Sequence, residues 1–214
     1  MTIEELIAQA ESGLTAQFAR IDRMEEIGTR RVLDAFREHQ VAYRHFAPTT
    51  GYGYDDVGRD TLEKIFAELF GTQAAIVRPQ IASGTHAISL CLFGLVLPGD
   101  DIVSATGMPY DTLQEVIGIR ESPCSLAEYG VVYRQVDLLP DGTFDYDAIR
   151  EKIHARTKLI TIQRSKGYAT RPSFSVAQIG ELIAFCKGIK PDVKVMVDNC
   201  YGEFVELTEP SDVG

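Results

Sequence analysis

The chain has 214 residues, 45% of them hydrophobic and 24% charged, with a formal net charge of −10. That balance is ordinary for a globular protein, and the acidity argues against broad nucleic-acid binding, which needs a basic face. No apolar run approaches the roughly 20 residues of a membrane span, and the acidic start Met1-Thr2-Ile3-Glu4-Glu5 lacks the basic-then-apolar pattern of a signal peptide. Cys91, Cys124, Cys186 and Cys200 are dispersed, without a CxxC or a Cys/His cluster. They read as reduced residues, mostly core, of a cytoplasmic protein with no metal site.

Residues 2–45 carry helical periodicity and no strand, with stripes at Leu6, Ala10 and Leu14 and then at Ile27, Val32, Leu33 and Phe36. Gly13 and Gly28 are expected to interrupt or re-aim these helices. The segment 1–48 reads as a helical arm ahead of an α/β domain over 49–214. Next comes a loop rich in glycine and tyrosine, Thr49 to Asp60, with Tyr52, Tyr54 and Arg59 as candidate ligand contacts. A helix over about 60–70 follows it.

Ala74-Ala75-Ile76-Val77 predicts a short strand. Ser83-Gly84-Thr85 then opens a helix over 88–97, and its small residue, hydroxyls and free backbone N–H groups suit a phosphate dianion. A plain Ser83 N-cap is the alternative. Neither GxxxxGK[ST] nor GxGxxG is present, so a nucleotide site has no support. The strand over 102–105 leads to Tyr110, an aromatic placed to stack on a planar ligand or to pack the next helix, over 113–117.

A strand over 131–136, a helix over 146–155 and a strand over 158–162 follow. The last runs into the basic loop from Gln163 to Pro172, a candidate for an anionic substrate group. After a helix over 175–187, Val193, Val195 and Val197 mark a buried strand delivering Asp198 at its C-terminal end, with Tyr201 three residues on. Asp198 either caps the next turn or meets a protonated ring nitrogen. Strands and helices alternate from about residue 58, which predicts an α/β fold with a mainly parallel sheet flanked by helices.

A phosphate cradle, a stacking face, a carboxylate for a ring nitrogen and a phenol together suit one ligand, pyridoxal 5'-phosphate (PLP). Five stretches carry a family resemblance: Gly51 to Glu63, Ala82 to Ala87, Gly107 to Leu113, Ile162 to Tyr168, and Val197 to Phe204. In these the chain resembles fold-type-I PLP enzymes, and within them the methionine γ-lyase/cystathionine β-lyase-like family of aluminium resistance proteins.

The resemblance implies that Ser83, Gly84 and Thr85 hold the cofactor phosphate, Tyr110 stacks on the ring, Asp198 keeps its nitrogen protonated and Tyr201 sits near O3'. Tyr52, Tyr54 and Arg59 would reach the site of a neighbouring subunit in a homodimer or homotetramer, although their spacing departs from the Tyr-x-Arg pattern of better-known lyases. A small sulfur amino acid would be the substrate, cleaved at a carbon–sulfur bond. In the family the attachment lysine lies beyond the Asp198 position, and neither Lys166 nor Lys194 stands there. The chain therefore reads as the N-terminal part of a longer protein, without that lysine and not competent alone. Another fold-type-I reaction (aminotransferase or aldolase) and a non-catalytic remnant are the alternatives.

Overall fold

A computed structural model describes every residue except Gly51, Gly53 and Asp55. It divides into two compact units, one of Met1–Val77 with Phe204–Thr208 and one of Arg78–Glu203 with Glu209–Gly214.

The first unit is helical. Helix α1 (Ile3–Ser12) starts on a Thr2/Glu5 capping box and stops at Gly13, while α2 (Thr15–Glu38) runs unbroken through Gly28. A glycine costs a helix interior about 1 kcal/mol. A Gly28 Cβ would stand 3.6 Å from Phe204 Cβ, an ordinary van der Waals contact, so the helix passes Phe204 here without needing a glycine. Helix α3 (Val57–Leu69) buries Ile65 and Leu69 with Ala35 of α2, flanked by Val32, Phe70 and Phe204. Because α3 packs on the arm, the compact unit runs on past residue 48 to Val77. The expected strand over 74–77 is absent: Val77 N–H donates to Glu63 Oε1 at 3.0 Å instead of to a ladder partner, and Ile76 is exposed.

The second unit is a parallel sheet flanked by helices, as its alternating pattern predicts. Strands β1 (Asp101–Ser104), β2 (Val132–Gln135), β3 (Thr157–Gln163) and β4 (Lys194–Asp198) lie in the order β2-β1-β3-β4. Helices α4 (Gly84–Leu95) and α5 (Asp111–Ile117) share a core with Ile102, Leu159 and Met196. Helices α6 (Tyr146–Lys152) and α7 (Val176–Ile189) share another with Val103, Ile160, Val195 and Val197. Side chains alternate between faces with period two, so β4 sends Met196, and with it Asp198, to the α4/α5 face.

Three of the four cysteines are exposed, and Cys186 alone is buried, so the expectation of mostly core cysteines is corrected. Cys91 lies on α4 and Cys200 two residues past the end of β4. None of the described helices is long and apolar enough to cross a membrane.

Candidate cofactor site at the C-terminal edge of the sheet

All four strands are parallel, so their C-terminal ends lie along one edge, and the chain's order reverses between β1 and β3. Open α/β sheets bind ligands outside the strand ends at such a reversal. Gln163, at the end of β3, is the register partner of Asp198, at the end of β4. A small pocket below them is lined by Ile88, Leu113, Thr161, Gln163, Met196 and Asp198 among others, with about 30 Å³ of room for water-sized molecules. That volume holds a water or two, so any larger ligand meets these residues at the pocket's mouth.

Asp198 is half-buried. Burial pushes its pKa above the ordinary carboxylate value, the nearby charge of Glu203 adds to this, and the Cys200 N–H opposes it. That N–H donates to Asp198 Oδ1 at 3.1 Å, so the carboxylate does cap its own turn, with one oxygen. Among the described residues no cation pairs with it. Arg164 is adjacent, but its guanidinium donates to Phe174 O, Asn199 Oδ1 and Gly202 O.

Ser83 is the N-cap of α4, and its Oγ accepts from His86 N–H at 3.1 Å. Capping leaves the hydroxyl proton available to an anion. The N–H groups of Gly84 and Thr85 belong to the first helical turn, which has no intrahelical acceptors, and nothing stands within 4 Å of where a Gly84 Cβ would be. No acidic residue occupies the first turn of α4, as in α2 and α7, whereas α1, α3, α5 and α6 each carry at least one there. The donor set and the local charge fit a phosphate dianion.

Tyr110 joins the two halves. Burial raises its phenol pKa, the charges of Asp198 and Cys200 push the same way, and hydrogen bonding to Thr85 and Thr112 opposes them. Thr85 Oγ1 and Thr112 Oγ1 lie 3.0 Å apart. The structure therefore brings Ser83, Gly84, Thr85, Tyr110 and Asp198 to one edge of one unit. Tyr201 follows on the same turn, largely exposed and in the left-handed region at φ 67°.

Tyr52, Tyr54 and Arg59 belong to the first unit. Both tyrosines are exposed, and Arg59 Nε pairs with Asp56 Oδ2 at 3.0 Å. Gly51, Gly53 and Asp55 of that loop lie outside the described residues. In the basic loop after β3, Arg164 is buried, with Nε and Nη1 on the acceptors named above. Arg171 donates to Gln163 O, Ser165 O and Pro172 O and lies over the Phe174 ring. Thr112 has no role in the sequence reading, and Gln163 figures there only as the start of the basic loop; His86 Nδ1 accepts from Ala82 N–H at 3.2 Å and so shapes the turn before α4. Only Thr112, two residues past Tyr110 at the start of a helix, left a signal that could have been read.

The family model for methionine gamma-lyase matches residues 3–214. The chain belongs to the methionine gamma-lyase family. It is 52% identical over 220 residues to the uncharacterised protein YnbB of Bacillus subtilis, covering 100% of this chain and 52% of YnbB. A Listeria innocua structure, named for a proposed role as a cystathionine beta-lyase in aluminium resistance, superposes with a TM-score of 0.96 at 52% identity, covering 100% of this chain and 53% of that one. A carbon-sulfur lyase involved in aluminium resistance from Clostridium novyi superposes with a TM-score of 0.93 at 40% identity, covering 98% and 50%. The chain thus spans about half the length of the relatives it matches.

Proposed function

We propose that the full-length protein is a PLP-dependent carbon–sulfur lyase of a sulfur amino acid, and that these residues supply its phosphate and ring contacts. The observation that carries the reading is Asp198: a half-buried carboxylate with a raised pKa, unpaired with any cation among the described residues, whose charge reaches Tyr110. A protonated pyridine nitrogen is the partner such a group lacks. When bound, PLP withdraws electron density from the substrate Cα, which allows a proton to leave and a thiol to be expelled.

The chain's residues then divide the work. Ser83 Oγ and the N–H groups of Gly84 and Thr85 hold the phosphate. Tyr110 offers its face to the ring and screens it from water, Asp198 holds the proton at the ring nitrogen, and Tyr201 offers its phenol beside O3'. In a cytoplasmic homodimer or homotetramer, Tyr52, Tyr54 and Arg59 would serve the neighbouring subunit's site, in keeping with the exposure of both tyrosines. The name of the Clostridium novyi relative supports the reaction class, since a carbon–sulfur bond is what it is said to cleave.

Titrating the full-length protein with PLP, followed by the absorbance of the bound cofactor, tests the reading. Ser83→Ala removes both the cap and a phosphate donor. It is expected to destabilise the fold by about 1 kcal/mol. PLP binding should weaken about 10- to 100-fold, from about 1.5–3 kcal/mol for a hydrogen bond to a charged group. Equal affinity in wild type and variant would contradict the phosphate assignment. Thiol release from a sulfur amino acid is the expected turnover; amino-group transfer to a 2-oxo acid without thiol release would make the protein an aminotransferase instead.

A further inference from the structure

The turn that follows Asp198 is held by a buried polar cluster. Arg164 is almost fully buried, and its backbone N–H donates to Asp198 O at 3.0 Å. Its side chain donates from Nε to Phe174 O at 3.1 Å and from Nη1 to Asn199 Oδ1 at 2.7 Å and Gly202 O at 2.8 Å. Asn199 Nδ2 in turn donates to Oε2 of the fully buried Glu209 at 3.0 Å. Gly202 N–H closes the turn on Asn199 O at 2.7 Å.

Two features show that this geometry is imposed. A Cβ on Gly202 would stand 2.5 Å from Arg164 Nη1 and 2.5 Å from Asn199 Oδ1, so the turn closes against the guanidinium with no room for a side chain. Tyr201 sits in the left-handed region, which is unfavourable for a bulky residue and persists only where the surroundings over-determine it. Burying a guanidinium is costly unless its donors are satisfied in good geometry, and here Nε and Nη1 each meet acceptors of the turn or its flanks.

We propose that Arg164 is a positioning residue for the cofactor end of β4, setting the aim of Asp198 and Tyr201 through Asn199, Gly202 and Glu209. The proposal rests on the reading that Asp198 faces the PLP ring. Arg164 itself needs no contact with cofactor or substrate. Misplacing a group by about 1 Å can lower a rate on the order of 10²-fold, so a loosened turn should show in kcat.

The test uses the full-length protein loaded with PLP and compares wild type, Arg164→Lys and Asp198→Asn. Lysine keeps the charge but cannot donate to Phe174, Asn199 and Gly202 together. Arg164→Lys is expected to bind PLP, since the Ser83–Thr85 turn is untouched. It should move the pH midpoint of the bound cofactor's absorbance in the same direction as Asp198→Asn, and lower kcat on the order of 10²-fold with little change in KM. A lower melting temperature with an unmoved midpoint and wild-type kcat would assign Arg164 to stability alone and overturn the proposal. If Asp198→Asn leaves the midpoint where wild type has it, the parent reading fails instead. Should Arg164→Lys not fold, Gly202→Ala decides the matter with the same readouts, because its Cβ forces the guanidinium off the turn.

Discussion

Asp198→Ala in the full-length protein is expected to lower turnover at least about 30-fold while leaving the fold intact. Removing one partner of a buried, hydrogen-bonded charge pair costs about 2–5 kcal/mol, or about 30- to 5,000-fold in rate. The fold survives because the side chain is half-buried and, among the described residues, accepts only the Cys200 N–H. Without cofactor the same carboxylate works against stability. Its folded pKa lies above the ordinary value of 3.8, so the folded chain retains a proton that the unfolded chain has released. Stability is therefore greatest below about that value and falls as pH rises through the folded pKa. Asp198→Asn should raise the melting temperature of the cofactor-free protein at neutral pH and weaken PLP binding. A variant with wild-type kcat would contradict the assignment.

Arg134→Ala should give the largest loss of stability. Asp101, at the opposite end of β1, has no exposed surface; it accepts from Arg134 Nε and His154 Nε2, with Arg156 Nε 3.7 Å away. Burial alone would raise its pKa, but the hydrogen bonds and charges of Arg134 and His154 outweigh that and hold it below the ordinary value. Removing Arg134 takes the main hydrogen-bonded cation from a buried carboxylate that keeps His154 and Arg156, which costs about 1–3 kcal/mol. That corresponds to a fall in melting temperature of about 2–12 °C. The sign with pH is opposite to that of Asp198. The stabilisation is present above the unfolded value of 3.8 and lost as pH falls through the lowered folded pKa, so the variant should differ from wild type less in acid than at neutrality. Thermal melts of both proteins across that range check it, and equal melting temperatures at pH 7 would refute it.

The sheet was legible because its strands are short apolar runs whose alternation must match two covered faces; a one-residue slip in β4 would send Asp198 to the wrong side. Ser83-Gly84-Thr85 and Tyr110 were legible because each stands where a loop turns into a helix. What stayed hidden depends on partners distant in sequence. The apolar run at Ala74–Val77 looks like a strand, yet Glu63 takes its backbone donor. Gly28 looks like a break, yet α2 runs unbroken past Phe204 there. Arg164 and Arg171 look like an anion site by composition, and only the fold shows Arg164 Nε and Nη1 on Phe174 O, Asn199 and Gly202 O, and Arg171 on the carbonyls of Gln163, Ser165 and Pro172. Composition reveals which charges exist and leaves open which of them face a ligand.

The most direct measurement is the nitrogen-15 resonance of ring-labelled PLP bound to the full-length protein. With Asp198 in place the ring nitrogen should resonate as protonated at neutral pH, and in Asp198→Ala it should lose that proton. An unprotonated nitrogen in the wild type, or one that the substitution leaves unchanged, would contradict a carboxylate at the end of β4 serving the cofactor ring.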